Sequence, residues 1–157
     1  MCVAAHVKAF PEEFGHLEGA LVACLFAADE VELRLQGRQK SAMVVQPQAM
    51  GSVSNRLIEW ALRGQVGEHD MLLVVQEWHW RGMNEEQRAA LVYHELMHLR
   101  QKQTPRGKPM FSKETGRPVL EILGHDIEEF EGTVRHFGAW HEGLERLRKA
   151  LLEAKGL

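Results

Sequence analysis

The stretch Val92-Tyr93-His94-Glu95-Leu96-Met97-His98-Leu99 decides how this 157-residue chain is read, because it sets two imidazoles four residues apart with a carboxylate directly after the first. Residues four apart on an α-helix differ by about 40° around the axis, so His94 and His98 project from one face and can grip a single ion. Glu95 lies about 100° from His94, within reach of a water on that ion. Zinc held by neutral imidazoles lowers the pKa of its water toward about 7, and a neighbouring carboxylate can take the proton as the oxygen attacks a carbonyl. On a helix, the pattern His-Glu-x-x-His therefore points to metal-assisted hydrolysis.

The helix is well marked. Asn84 is a good N-cap, Gln87 can close a capping box, and Glu85 and Glu86 suit the positive end of the dipole. The spacing predicts a helix from Glu85 to Gln101, ending before Pro105. Around it, Gln87, Arg88, His94, Glu95, His98, Gln101 and Lys102 fall within an arc of about 140°, and Ala89, Ala90, Val92, Tyr93, Leu96, Met97 and Leu99 fill the rest. Such a helix is buried on most sides and turns one polar strip to a cleft. Tyr93 projects away from Glu95 and is expected to pack.

A catalytic zinc site has three protein ligands and an open position for water. The third is sought in Gly124-His125-Asp126-Ile127-Glu128-Glu129-Phe130, where a further helix is expected, beginning at Leu123 or Gly124 and stopped by Gly138. His125 is the favoured ligand, with Glu128 and Glu129 as alternatives. Ile127, Phe130, Val134 and Phe137 would form that helix's apolar stripe.

Further out, residues 12–28 have helical spacing, through Phe14, Leu17, Leu21, Cys24 and Leu25 after Pro11. Val31, Leu33 and Leu35 alternate as in a strand, Gln36-Gly37-Arg38 makes a turn, and Ala42–Gln46 is a second strand closed by Pro47. Residues 53–63 return to helical spacing. Met71–Gln76 is a core strand that could also bind an extended substrate by strand addition, and the Trp78-His79-Trp80 cluster after it is expected to pack at the core or its rim. Residues 103–118, rich in proline, read as a loop or small hairpin, and Trp140–Ala154 as a last amphipathic helix. The chain is thus expected to be α+β: one domain over residues 1–157, with a sheet of three to four strands packed against helices.

A net charge of −3 offers no overall field for DNA or an anionic membrane. The longest apolar run, Ala20–Ala28, is far short of the roughly 20 residues that span a bilayer, and no secretory leader is evident, so a cytoplasmic location is expected. Two cysteines are too few for a disulfide framework. One segment differs from the rest in charge: Arg100 to Arg117 holds six basic residues and one acidic one.

The segment Tyr93-His94-Glu95-Leu96-Met97-His98, preceded by an aliphatic strand and tryptophans and followed by Gly124-His125-Asp126-Ile127-Glu128-Glu129-Phe130, resembles the putative phage metallopeptidase family. More distantly it is similar to the SprT-like zinc proteases, whose third histidine stands in a Gly-His-x-x-Glu-Phe setting. The likeness covers roughly residues 70–140. It implies a zincin-like fold in which an edge strand beside the active helix binds extended peptide, with His94, His98 and His125 as zinc ligands and Glu95 as general base. The expected function is zinc-dependent hydrolysis of peptide bonds in a protein or peptide substrate. The alternative is a zincin-fold binding module that acts without catalysis on DNA or a host defence protein, with the basic segment 100–117 touching phosphates.

Overall fold

The computed structural model describes residues 3–28, 34–35, 38–46, 69–125, 127 and 131–154. The expected helix 53–63, the residues Val31 and Leu33, and Glu128 and Glu129 lie outside them. In chain order the elements are α1 (Val3–Ala9), α2 (Pro11–Phe14), a 3-10 turn (Gly15–Leu17), β1 (Val22–Ala27), β2 (Arg34–Leu35), β3 (Arg38–Gln39), β4 (Ala42–Val45), β5 (Met71–Gln76), α3 (Glu77–Gly82), α4 (Glu85–Met97), β6 (Leu99–Gln101), β7 (Leu120–Ile122), α5 (Glu131–Phe137) and α6 (Glu142–Ala154). The class is α+β. These residues form two compact units, Met1–Leu123 and Gly124–Leu157.

The first unit is built on β5, whose six residues are all buried. The sheet order is β1-β5-β4, with β1 parallel and β4 antiparallel to the centre. Side chains alternate across the pleat. Met71, Leu73 and Val75 join a core with Phe14, Leu17, Val44, Val92, Leu96, Leu99 and Leu120, whereas Leu72 and Val74 pack on the other face with Ala23 and Ala27. The buried Gln76 amide donates to the Ala28 carbonyl at 3.1 Å, so the strand's one polar side chain is satisfied.

Two expectations change here. Residues 12–28 do not form one helix: α2 and the 3-10 turn stop at Leu17, Gly19 takes φ +81°, and Val22–Ala27 is a strand. The glycine's left-handed backbone breaks the helical path, and pairing of Val22–Ala27 with Met71–Gln76 outweighs local spacing. Likewise the helix from Glu85 ends at Met97 rather than Gln101, because Leu99–Gln101 pairs antiparallel with Leu120–Ile122.

Between these two strands the chain folds into a tight hairpin. Lys102 N–H donates to the Val119 carbonyl and Met110 N–H to the Lys102 carbonyl, both at 2.8 Å. Two of the six basic residues of the segment 100–117 serve structure: Arg100 pairs across the strands with Glu121, and Arg117 Nε donates to Asp70 Oδ2 at 2.9 Å. Asp70 Oδ2 also accepts from Leu21 N–H at 2.8 Å, so one carboxylate joins the approach to β1, the start of β5 and the hairpin.

In the second unit, Gly138 at φ +67° ends α5, its N–H donating to the Val134 carbonyl at 2.8 Å. His141 caps α6 through Nδ1, which accepts from Gly143 N–H at 3.1 Å.

Candidate metal centre

The site begins with the cap of α4. Asn84 Oδ1 accepts from Gln87 N–H at 2.8 Å and Gln87 Oε1 accepts from Asn84 N–H at 2.9 Å, the full capping box read from the sequence. Packing then fixes the helix's rotation. Val92 and Leu96 enter the core, and the Tyr93 ring meets Phe10 and Phe14 edge-on at 5.1 and 4.9 Å, so Tyr93 packs as expected. His6, buried under α1, reaches α4 through Nε2, which donates to the Ala89 carbonyl at 3.0 Å.

This rotation leaves His94 exposed and His98 half-buried, their ring centroids 5.1 Å apart. His98 is the C-cap of the helix, and its backbone is clamped from the residue just past β7: Leu123 N–H donates to the His98 carbonyl at 2.7 Å. Its ring is clamped by the same residue. Nδ1 lies 2.8 Å from the Leu123 carbonyl, which can only accept, so Nδ1 carries the hydrogen and Nε2 is the nitrogen with the lone pair. A further imidazole braces the next residue, His16 Nε2 donating to the Leu99 carbonyl at 2.9 Å.

His125 stands on the chain two residues past Leu123. His94, His98 and His125 each offer one ligand atom, and the three atoms lie within 4.8 Å of one another, a triad able to hold a metal ion. His125 is not on a helix, contrary to expectation. The chain at 123–125 is irregular, and the described helix of this segment, α5, spans Glu131–Phe137.

Glu95 is 5% exposed. Burial pushes its carboxyl above the ordinary range, offset in part by the charges of His98 and Lys40 and by a hydrogen bond from the Val44 backbone. The sheet accounts for that bond. Gln76 N–H donates to the Ser41 carbonyl at 2.8 Å, which in the antiparallel register makes 41/76, 43/74 and 45/72 the hydrogen-bonded pairs. Val44 N–H therefore points away from β5, toward Glu95. Lys40 and Val44 were not legible as site residues in the sequence, since Val44 belongs to a strand far from the motif and Lys40 to the chain just before that strand.

The register also corrects the expected substrate strand. Met71–Gln76 has β1 on one side and β4 on the other, so its backbone groups are used. The open edge beside α4, among the described residues, is that of β4.

A donor set of three imidazoles, one with its outer nitrogen already bound to a carbonyl, fits a zinc ion with an open position. Among the described residues, no helix is long and apolar enough to cross a membrane. When the chain is compared with known families, the model described as "Putative phage metallopeptidase" matches residues 2–152, nearly the whole length. No curated protein and no solved structure matches it.

Proposed function

The chain belongs to the putative phage metallopeptidase family, and from that premise we propose that it hydrolyses peptide bonds with zinc held by His94, His98 and His125 and with Glu95 as general base. The observation that carries this reading is the convergence of the three imidazoles beside the buried carboxylate of Glu95 on α4. Bound zinc supplies a Lewis acid that polarises the substrate carbonyl and makes water nucleophilic near neutral pH. Leu123 holds the His98 ring in the tautomer whose Nε2 carries the lone pair that can ligate. Glu95, set toward the Val44 N–H, takes the proton from the attacking water at a carboxylate oxygen and delivers it to the leaving amine. The outward groups of β4 that Glu95 does not take, the Ala42 N–H and the Ala42 and Val44 carbonyls, are suited to hydrogen-bond a peptide in extended form.

Incubation of zinc-loaded protein with an unfolded protein substrate tests this. Cleavage by the wild type that is lost in Glu95→Gln supports it; no cleavage by a protein shown to hold zinc overturns it.

A second reading, a binding module for nucleic acid, is favoured by one observation: among the described residues, Arg106, Lys108 and Lys113 on the hairpin are exposed and in no ion pair. Salt-titrated binding of short single- and double-stranded DNA tests it. No binding at low salt removes it.

A further inference from the structure

A groove of about 430 Å³ runs between α3 and α4, lined by Trp78, His79, Met83, Gln87, Ala90 and Leu91 together with Gly82. Its helix-borne wall lies on the metal-binding face of α4. Taking His94 as the origin, Gln87, Ala90, Leu91 and His98 all fall within about 60° of it around the axis. Ala90 is one turn before His94, and Leu91 three residues before it, so the helix-borne wall of the groove lies on the same face as the first imidazole, about one turn from it.

We propose that this groove is the subsite for a bulky apolar side chain of the substrate, adjacent to the bond that is cut. The inference rests on the peptidase reading above and deepens it by naming a substrate class. Three observations carry it. The lining is mainly apolar, from Trp78, Met83, Ala90 and Leu91. Trp78 is 48% exposed and stacked on His79, with centroids 4.9 Å apart and planes 19° from parallel, which presents a braced aromatic wall. The scale also fits: one helical turn is about 5.4 Å and an extended peptide advances about 3.4 Å per residue, so a side chain one or two residues from the cleaved bond reaches the groove.

The test is a calorimetric titration of the zinc-loaded full chain with two hydroxamic acids, acetohydroxamic acid and phenylacetohydroxamic acid, which share the metal-binding group and differ by a phenyl ring. The phenyl compound is expected to bind about tenfold tighter or better, the increment for burying the ring. That ratio is expected to fall toward one in Ala90→Trp, which fills the groove, and in Trp78→Ala, which removes its wall. Ala90 is exposed and Trp78 half-exposed, so neither change opens the core. A wild-type ratio near one, with acetohydroxamic acid bound, overturns the groove proposal. So does a ratio that survives both substitutions. Failure of acetohydroxamic acid to bind zinc-loaded wild type overturns the peptidase reading itself.

Discussion

The carbonyl oxygen of Leu123 lies 2.8 Å from Nδ1 of His98, and the Leu123 N–H donates to the His98 carbonyl at 2.7 Å. One backbone unit thus holds both the main chain and the ring of a candidate ligand. Outer partners of this kind fix the orientation of a metal-binding imidazole, and their loss typically costs about 10–100-fold in metal affinity.

The tautomer follows directly. In metal-free protein at mildly alkaline pH, long-range proton–nitrogen NMR is expected to show His98 protonated at Nδ1 and bare at Nε2. The opposite tautomer would remove Leu123 as its positioning partner.

Metal content separates the ligands. Wild type is expected to carry one zinc per chain, lost in His94→Ala and His98→Ala and strongly weakened in His125→Ala, by elemental analysis after dialysis. Because the triad is assembled only in the folded chain, added zinc should raise the melting temperature and a chelator should lower it. A zinc content unaffected by His125→Ala would leave the third ligand to another residue.

Glu95 sets function against stability. Glu95→Gln should lower peptidase turnover by about 10²–10⁴-fold while zinc stays bound. In metal-free protein the sign is reversed. Burial raises the folded-state pKa of this acid, so the fold holds its proton more tightly than the unfolded chain, and stability falls as pH rises from the ordinary carboxylate range through the raised value. Glu95→Gln should flatten that decline and melt a few degrees higher than wild type at neutral pH; thermal melts across pH check this.

The two hairpin ion pairs should differ in weight. Arg117 and Asp70 are 23% and 20% exposed, and the carboxylate also holds Leu21 N–H, whereas Arg100 is 58% exposed. Asp70→Ala is expected to cost about 2–3 kcal/mol and Arg100→Ala about 0.5 kcal/mol, read from urea unfolding midpoints.

What could be read from the sequence was local. The capping box at Asn84 and Gln87, the run Met71–Gln76 and the four-residue spacing of His94 and His98 each act within one element, and each appears as expected. What could not be read depends on distant pairing. Val22–Ala27 shows helical spacing, yet it is a strand because β5 lies beside it. Leu99–Gln101 continues the helical pattern, yet Leu120–Ile122 draws it into a hairpin. The partners of His98 and Glu95 are backbone groups of Leu123 and Val44, and no side-chain pattern marks a carbonyl or an N–H.

The hairpin has a consequence for how the gene can vary. His98 and His125 are separated by 27 positions, yet the antiparallel return of Leu99–Gln101 on Leu120–Ile122 brings the chain back to where it left. Insertions and deletions in the outer turns, around Pro105–Lys108 and Lys113–Gly116, can therefore accumulate between homologues without touching the imidazoles. A single-residue slip within the paired strands would present a different carbonyl to Nδ1, so length drift here should be tolerated at the tip and purged at the base.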